Sequence, residues 1–417
     1  MEVLAMILAG GRGSRLDILS ENRVKPSVPF AGKFRIIDFT LSNCSNSGIY
    51  DVALLTQYLP FSLKEQIGSG KPGAFDRRDS GIALLQPHEK PDGQVWYTGT
   101  ADAVKQNIEY IKRKNTEYVI IVSGDHIYKM NYNWMIEDHK KNNAELTIAV
   151  KTVPWEETNR FGIFEVEDSK QSLGFEEKPK EAKSNLASMG IYVFDTNILI
   201  DYLEKMCDDE LDFGKHIIPA MLKEDRKVYV HTYDSYWMDV GTYDSYLEAN
   251  LDLIKKSEEI GIDLYDQNWK IYTKSEDLPA VRIGATGSVI NSLVSNGCKI
   301  EGRVENCVLG PGVTVRQGST IRNSILFSGT YIDENTHLDT VITDRRAYVG
   351  RNSIIGYGDD YTANEEKPDL LSKGISVIGK GAHLPEATIV GRNVRIFGGV
   401  RLEDYNKFVP SGATIKG

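Results

Sequence analysis

The stretch AMILAGGRGSRL, residues 5–16, decides the first half of the fold. The four apolar residues from Met6 to Ala9 predict a buried strand, and the glycines after them allow the backbone to approach a ligand closely. Exposed backbone N–H groups in such a loop form a concavity that accepts phosphate oxygens. The loop has neither the spacing G-x-x-x-x-G-K-[ST] nor G-x-G-x-x-G, so taken alone it is either a tight turn or a phosphate-binding loop.

The composition of the 417-residue chain is typical of a globular protein with two or three domains. Hydrophobic residues make up 41% and charged residues 26% of the chain, which are ordinary values. No apolar run approaches the roughly 20 residues of a membrane span, and the net charge of −10 argues against a general nucleic-acid binder. The four cysteines have no C-x-x-C spacing, which favours the reducing cytoplasm. We therefore expect a cytoplasmic protein that binds neither nucleic acid nor membrane.

Two carboxylates follow predicted strands in the first half of the chain. The apolar run from Tyr118 to Val122 is typical of a central parallel strand, and Asp125 comes shortly after it, followed by His126, which we interpret as structural. Asp239 lies at a second junction between a strand and a helix. Open α/β sheets bind ligands at the carboxyl ends of their strands, and Mg²⁺ takes one or two carboxylates plus phosphate oxygens. The pair therefore predicts a magnesium site, although an aspartate that caps the next turn is the alternative for Asp125.

Basic residues in two further stretches are predicted to contact phosphate. Lys25 precedes a proline and so lies on extended backbone, from which it would reach the same phosphates as Arg15. Lys178 ends a strand-like segment and would bind a sugar phosphate, while Glu177 would accept hydrogen bonds from sugar hydroxyls. A solvated lysine and a solvated charge pair on an edge strand are the respective alternatives.

The second half of the chain carries a repeat of six residues. Aliphatic residues recur at this interval in several separate blocks, for example at four successive positions from Ile378 to Ile396. A period of six is neither helical nor alternating, and it predicts a left-handed parallel β-helix with three short strands per coil. The polar stretch 356–374 interrupts the period and is expected to form an excursion loop.

The chain resembles the ADP-glucose pyrophosphorylases, the bacterial glucose-1-phosphate adenylyltransferases, over almost its whole length. The motifs that carry the resemblance are AGGRGSRL (9–16), VKPSVPFAGKFRIIDFTLSNCSNSGI (24–49), WYTGTADAV (96–104), SGDHIYKM (123–130), FEEKP (175–179), ASMGIYVFD (187–195) and YWMDVGT (236–242). The resemblance implies a fold of class α/β: a Rossmann-like nucleotidyltransferase domain with a mixed, mostly parallel sheet, followed by the left-handed β-helix. We expect the catalytic domain over 1–255, a linker over 256–282, and the β-helix, for regulation and oligomerisation, over 283–417.

The reaction implied by the resemblance joins ATP and glucose 1-phosphate into ADP-glucose and diphosphate, for glycogen synthesis. The sugar phosphate attacks the α-phosphorus of ATP in line, so the protein mainly positions the reactants and neutralises charge. Mg²⁺ is the implied cofactor, and the implied assembly is a homotetramer or a hetero-oligomer with a regulatory paralogue. A transferase of the same fold with another nucleotide or sugar phosphate is one alternative. A non-catalytic regulatory subunit is the other, and it predicts damaged motifs, whereas Arg15, Asp125, Lys178 and Asp239 are all present.

The resemblance also implies a role for individual residues. The nucleotide is expected to contact Gly10, Gly11, Gly13, Arg15, Gln86 and Gly99. Glucose 1-phosphate is expected to contact Tyr97, Gly162, Glu177, Lys178 and Ser188. The metal ligands are expected to be Asp125 and Asp239, and the catalytic residues Arg15, Lys25 and Asp125.

Two positions depart from the family members that sugar phosphates activate. Asn22 and Thr98 stand where such members often carry lysine and arginine, respectively. Both departures remove positive charge, so we expect a weak or different response to these activators. Five arginines remain candidates for an effector anion site between the domains, with solvated surface positions as the alternative: Arg35, Arg316, Arg345, Arg346 and Arg392.

Overall fold

The structure, a computed structural model, describes residues 3–11, 13–77, 80–88, 96–167, 170–206, 211–274, 276–400 and 407–416. The strands of the first half are β1 (Val3–Leu8), β2 (Pro29–Phe30), β3 (Phe34–Arg35), β4 (Asp51–Leu55), β5 (Gly81–Leu85), β6 (Tyr118–Ser123), β7 (His126–Tyr128), β8 (Leu146–Thr152), β9 (Gly162–Val166), β10 (Ser172–Glu177), β11 (Leu186–Asp195), β12 (Val228–Thr232) and β13 (Trp237–Asp239). The α-helices are α1 (Ile36–Asn46), α2 (Pro60–Ile67), α3 (Thr100–Lys105), α4 (Ile108–Lys114), α5 (Tyr132–Lys141), α6 (Thr196–Lys205), α7 (Ile218–Lys223), α8 (Tyr243–Asp252) and α9 (Ser257–Ile260). Short 3₁₀ turns cover Ser14–Ser20, Lys25–Ser27, Lys71–Gly73 and Trp155–Arg160, and a π-helical turn covers Phe213–Ile217.

The central sheet is mixed and mostly parallel in its middle. Its longest path runs β10-β9-β11-β6-β1-β4-β5, and β8 joins β12 to β11. Strand β1 pairs in parallel with β4 and with β6, whereas β11 runs antiparallel to β6. Side chains of β1 from Leu4 to Ile7 are fully buried, as expected for a strand with elements on both faces. The carboxyl ends of β1 and β6 therefore meet at one edge, where the glycine-rich loop and Asp125 follow.

One part of the first half differs from the sequence-based expectation. The sequence indicates a loose connection over about 68–95, whereas the structure contains strand β5, which pairs in parallel with β4. This strand has one neighbour in the described sheet and is only partly buried. A short apolar run at a sheet edge carries little of the hydrophobic signal that identifies buried strands, which explains the difference.

The second half is a parallel β-helix. Its strands are β14 (Arg282–Ile283), β15 (Ser288–Ile290), β16 (Leu293–Val294), β17 (Lys299–Ile300), β18 (Arg303–Glu305), β19 (Val308–Leu309), β20 (Thr314–Val315), β21 (Thr320–Arg322), β22 (Ile325–Leu326), β23 (Tyr331–Ile332), β24 (His337–Asp339), β25 (Val341–Thr343), β26 (Tyr348–Val349), β27 (Ile354–Ile355), β28 (Ser376–Ile378), β29 (His383–Leu384), β30 (Ile389–Val390), β31 (Arg395–Ile396), β32 (Phe408–Val409) and β33 (Thr414–Ile415). From β14 to β31 every third strand shares a sheet, and β32 and β33 extend two of the three parallel sheets by pairing with β30 and β31. The aliphatic residues of the six-residue repeat, such as Leu384 and Val390, are fully buried. The predicted α/β domain followed by a hexapeptide-repeat β-helix is confirmed.

The β-helix packs against the segment that follows the glycine-rich loop. One apolar cluster contains Leu16 of that segment together with Tyr246 of α8 and Phe327 of the β-helix. A buried ion pair between Arg23 and Asp344, 3.0 Å long, also joins the two halves. The interface thus includes the segment that directly follows the glycine-rich loop. None of the described helices combines the length and the apolar character needed to cross a membrane.

Candidate active site

A cavity of about 520 Å³ opens at the edge where β1 and β6 end. The glycine-rich loop forms one wall, and the start of α3 forms the opposite wall. The predicted site residues that line it are Gly10, Gly11, Gly13, Arg15, Lys25, Tyr97, Gly99 and Asp125. The structure therefore brings residues of four separate motifs to one crevice, which we call the nucleotide crevice.

Lys25 bridges two carboxylates at the floor of the nucleotide crevice. Its ammonium group donates to Asp125 Oδ2 at 2.8 Å and to Asp239 Oδ1 at 2.7 Å. The two aspartates meet because β7 and β13 pair antiparallel, which sets Asp239 opposite His126. The prediction that Lys25 lies on extended backbone was wrong, because Val24 is the extended residue and Lys25 begins the short 3₁₀ turn Lys25–Ser27, where proline is tolerated near the start. Asp125, just before β7, and Asp239, at the end of β13, thus bind the same ammonium group of Lys25.

The charges of this cluster stabilise one another. Burial alone would lower the pKa of Lys25, but the negative charges of Asp125 and Asp239 outweigh it and raise that pKa. Burial alone would raise the pKa of each aspartate, but Lys25 and then His126 lower the pKa of Asp125 well below its usual range. The same two groups lower the pKa of Asp239. Both carboxylates are therefore ionised at neutral pH, with a charge-assisted partner already in place.

The donor set of the cluster fits a hard divalent cation. Asp125, His126 and Asp239 each offer an atom, and these atoms lie within 4.8 Å of one another. Carboxylate oxygens are the ligands that Mg²⁺ prefers. The Nδ1 atom of His126 is buried and has no hydrogen-bond partner among the described residues, and its ring packs edge-on against Trp237, with the centroids 5.1 Å apart. The sequence interpretation of His126 as structural missed its place in this cluster, which its position directly after Asp125 signals.

Two glycines are required where the loop approaches the crevice floor. Gly13 has φ of +65°, and a Cβ there would lie 2.9 Å from the Cβ of Lys25. A Cβ at Gly241 would lie 2.8 Å from a guanidinium nitrogen of Arg15. The Arg15 side chain is 58% exposed, and its Nη2 lies 3.8 Å from Asp239 Oδ2. The loop thus places an accessible guanidinium beside the carboxylate cluster, where it is available to an anionic ligand.

Three of the predicted sugar-phosphate residues, Gly162, Glu177 and Lys178, lie together beside the crevice, whereas Tyr97 lines the crevice itself. Glu177 pairs with Gly162 across β9 and β10, and a Cβ at Gly162 would lie 2.8 Å from Glu177 Oε2. Lys178 is 61% exposed, and its Nζ lies 3.4 Å from Glu177 Oε1. Its backbone has φ of +49°, rare for a lysine, and its N–H donates to the carbonyl of Phe161 at 3.0 Å. Ser188 lies on β11, where its hydroxyl accepts from the Gly190 N–H at 3.3 Å.

Asp212 is a crevice residue that the sequence analysis missed. It lines the nucleotide crevice, accepts from the N–H groups of Gly214 at 2.9 Å and Lys215 at 3.1 Å, and accepts from the Thr100 hydroxyl at 2.7 Å. A Cβ at Gly214 would lie 2.9 Å from Glu177 Oε2. The Asp212 turn therefore connects the crevice with the sugar-phosphate group. An aspartate followed by Phe-Gly at the start of a helical run, which is a helix-capping pattern, was the available signal.

Gln86 does not line the nucleotide crevice in the structure. It follows β5 and is exposed. A different glutamine, Gln57, lines the crevice and accepts from the Tyr97 N–H at 2.9 Å. The predicted base contact of Gln86 therefore has no support from its position.

The five candidate effector arginines do not form one site. Arg35 and Arg345 line a second cavity of about 370 Å³ between the two halves, which we call the interdomain cavity. Arg316 pairs instead with Glu301 at 2.7 Å on the β-helix surface. Arg346 is exposed, and Arg392 pairs with Asp339 at 3.2 Å. Of the five candidates, the structure places Arg35 and Arg345 in the interdomain cavity, a division that the sequence does not give because it does not reveal which coil faces the first domain.

Two sequence families cover most of the chain. Residues 4–256 match the family described as nucleotidyl transferase. Residues 280–378 match the family described as GlmU-like, C-terminal hexapeptide. The first match contains both aspartates of the carboxylate cluster, and the second covers most of the β-helix.

Curated relatives match the chain over nearly its full length. A protein of Acetivibrio thermocellus, named glucose-1-phosphate adenylyltransferase, is 47% identical over 97% of this chain and 95% of the relative. A protein of the same name from Thermomicrobium roseum is 46% identical over 99% of this chain and 97% of the relative. A third, from Clostridium perfringens, is 48% identical over 93% of this chain and 99% of the relative.

Proposed function

The chain belongs to the glucose-1-phosphate adenylyltransferases of the nucleotidyl transferase family, and from this premise we propose how its crevice makes ADP-glucose from ATP and glucose 1-phosphate. The observation that carries the proposal is the carboxylate pair Asp125 and Asp239, bridged by Lys25 at 2.8 and 2.7 Å beside the glycine-rich loop. Phosphoryl chemistry of this kind needs positioned cations and backbone donors rather than a covalent nucleophile. The crevice supplies both.

Glycine-rich backbone and two cations bind the triphosphate in this proposal. Gly10, Gly11 and Gly13 line the crevice, and their N–H groups would donate to phosphate oxygens. Arg15 is accessible beside them, and Lys25 lies beneath them on the crevice floor. Both cations oppose the negative charge that develops during transfer.

A divalent metal is common among nucleotidyl transferases, and we assign Mg²⁺ to this chain. Asp125 and Asp239 would hold it, in keeping with their ionised state and their oxygen donors. When bound, Mg²⁺ supplies positive charge that offsets the charge of the α-phosphate and of the departing diphosphate. Lys25 is the residue that neutralises these two carboxylates within the chain itself.

Glucose 1-phosphate would bind beside the crevice, at the group formed by Gly162, Glu177 and Lys178. Lys178 would pair with its phosphate and Glu177 would accept from sugar hydroxyls, with Tyr97 and Ser188 completing the contacts. A phosphate oxygen of the sugar attacks the α-phosphorus of ATP, the new P–O bond forms, and the bond from the α-phosphorus to the bridging oxygen breaks. Diphosphate leaves with that electron pair, so no external acid, base or redox partner is needed.

The test of this function is diphosphate release with each of ATP, UTP, dTTP and GTP in the presence of glucose 1-phosphate and Mg²⁺. The full-length wild-type enzyme is expected to release diphosphate with ATP and to accumulate an equal amount of ADP-glucose. Preference for UTP, dTTP or GTP would instead establish another nucleotidyltransferase of the same fold. Absence of turnover with all four, in a protein that still binds ATP, would favour a regulatory subunit.

The interdomain cavity is the proposed effector site. Arg35 and Arg345 line it together with Asn22 and Lys380, and the cations outnumber the carboxylates there. An anionic effector is the ligand that such a cavity favours. The homotetramer and the cytoplasmic location predicted from the sequence stay predictions.

A further inference from the structure

An arginine of the β-helix is bonded to the segment that immediately follows the glycine-rich loop. Arg395, on β31, is 2% exposed. Its Nε donates to Asp17 Oδ2 at 2.8 Å, and its Nη2 lies 2.6 Å from the same oxygen. Asp17 belongs to the short turn Ser14–Ser20, two residues beyond Arg15. The contact therefore joins residues 378 positions apart at the border of the nucleotide crevice.

The backbone at Asp17 is unusual. Its φ of 39° and ψ of −106° interrupt the turn Ser14–Ser20, and such a conformation is costly for a residue other than glycine. Strain of this kind persists only where surrounding contacts determine it. The two bonds from Arg395 are direct contacts that hold the Asp17 side chain in this conformation.

Hydrogen bonds connect Asp17 with the phosphate-binding loop itself. The Ser20 hydroxyl bridges the carbonyl of Asp17, at 3.0 Å, and the carbonyl of Gly13, at 2.8 Å. The Leu16 N–H also donates to the Gly13 carbonyl at 2.9 Å. On the other side, the Ile18 N–H donates to the buried Tyr243 hydroxyl at 3.1 Å. Asp17 and Gly13 thus share the Ser20 hydroxyl, through which a displacement of Asp17 would reach Gly13.

Arg395 also contacts the excursion loop. Its Nη1 donates to Glu366 Oε2 at 3.1 Å, and Glu366 lies within the stretch 356–374 that interrupts the six-residue repeat. The loop is itself anchored to the β-helix, because the buried Asn364 amide donates to the Asn393 carbonyl at 3.1 Å. One guanidinium therefore connects the excursion loop, the β-helix and the segment after the phosphate-binding loop.

We propose that Arg395 is a positioning residue for ATP, through which the β-helix holds Asp17, and with it Gly13 and Arg15, in the geometry that binds the triphosphate. This inference rests on the proposed role of the glycine-rich loop. A purely structural ion pair is the competing account, since buried salt bridges often contribute little net stability. The two accounts differ in their effect on the two substrates: a positioning role affects ATP alone, whereas general destabilisation affects both substrates or neither.

The test compares full-length Arg395→Gln and Asp17→Asn with wild type, and Glu366→Gln is the matched control. Arg395→Gln is expected to raise the KM for ATP about tenfold, the usual size of such a coupling, and to leave the KM for glucose 1-phosphate within about twofold. Asp17→Asn is expected to raise the KM for ATP similarly, because asparagine has the shape of aspartate but lacks the charge that Arg395 binds. Glu366→Gln removes a carboxylate that pairs with the same arginine but does not contact Asp17 or the glycine-rich loop. It is expected to leave the KM for ATP within about twofold.

Several results would overturn the positioning role. They are an unchanged KM for ATP in folded Arg395→Gln, an equal rise for both substrates, or an effect of Glu366→Gln as large as that of Arg395→Gln. Thermal unfolding of each variant shows whether it is folded, and Asp17→Asn decides the question if Arg395→Gln does not fold. A wild-type enzyme that makes no ADP-glucose would contradict the proposed function. If the wild type is active and Asp17→Asn leaves the KM for ATP unchanged, only the positioning role is contradicted.

Discussion

The nucleotide crevice and the interdomain cavity both contain buried cations. In the crevice the negative charges balance the buried cation, whereas in the cavity the cations outnumber the carboxylates. In the crevice, Lys25 has two carboxylates within 2.8 Å, and their charges raise its pKa. In the cavity, burial and then the neighbouring charge of Arg345 lower the pKa of Arg35 to about 10. Burial and then Arg23 lower the pKa of Arg345 in the same way. The cavity thus holds cations that repel one another.

The difference indicates what each region binds. A compensated cluster is stable by itself, and its carboxylates suit a second cation that arrives with the triphosphate. A cavity with excess positive charge is stabilised when an anion enters it. The difference therefore supports our two proposals, a metal and nucleotide site in the crevice and an anionic-effector site in the cavity. Single substitutions of charged or polar residues in or beside each region test these two proposals.

Asp125→Asn is expected to have the largest effect, because it removes a carboxylate that both Lys25 and the metal require. We expect turnover to fall about 100- to 1000-fold, the usual loss for a group that stabilises transferred charge. The control is Asp51→Asn, which removes a carboxylate paired with Lys114 at 2.5 Å at the start of β4, far from the chemistry. Initial rates and thermal unfolding of both variants are the measurements. Full activity of Asp125→Asn would refute the metal role.

Asp38→Asn tests the carboxylate that is buried beside Arg35. Burial raises the pKa of Asp38 to about 6 from an ordinary value of 3.8. The folded protein therefore binds the proton more tightly than the unfolded chain, so the free energy of unfolding falls as pH rises from about 4 to 6, by up to about 3 kcal/mol. The variant is expected to lose this part of the pH dependence. Denaturant unfolding at several pH values measures it, and identical slopes for variant and wild type would show that Asp38 titrates normally.

Lys178→Ala tests the sugar-phosphate side of the crevice. Loss of a lysine that pairs with phosphate is expected to raise the KM for glucose 1-phosphate about 30-fold and to leave the KM for ATP within about twofold. Lys183→Ala is the control, because Lys183 is also exposed and lies 3.5 Å from a glutamate, Glu165. Steady-state kinetics with each substrate varied decides the matter. A rise confined to ATP would reassign Lys178 to the nucleotide.

Asn22→Lys is expected to have the smallest effect, on the interdomain cavity. Asn22 lines that cavity, so the lysine adds a positive charge where an anion would bind. We expect wild type to respond weakly to fructose 1,6-bisphosphate and the variant to respond at about fivefold lower concentration. Arg346→Gln, outside the lining, is the control. Strong activation of wild type by micromolar fructose 1,6-bisphosphate would contradict the expected weak response. If Asn22→Lys needs the same concentration as wild type, the effector does not bind in the interdomain cavity.

Local patterns predicted the elements of the crevice, whereas long-range contacts did not follow from the sequence. The glycine-rich loop, Asp125 and the six-residue repeat each have a signal within a short window, and the structure places the loop and Asp125 together. Which of the five candidate effector arginines line the interdomain cavity depends on which coil of the β-helix faces the first domain. The contact of Asp17 with Arg395 joins residues 378 positions apart, and no local pattern predicts such a pair.

The position of the metal tests the central claim most directly. Crystals grown with glucose 1-phosphate, Mn²⁺ in place of Mg²⁺, and an ATP analogue with a methylene group between the α- and β-phosphorus atoms would reveal it by anomalous scattering. We expect a Mn²⁺ peak between the carboxylates of Asp125 and Asp239, with the triphosphate along Gly10 to Arg15. A nucleotide seated in the interdomain cavity, or a metal bound to neither aspartate, would contradict it.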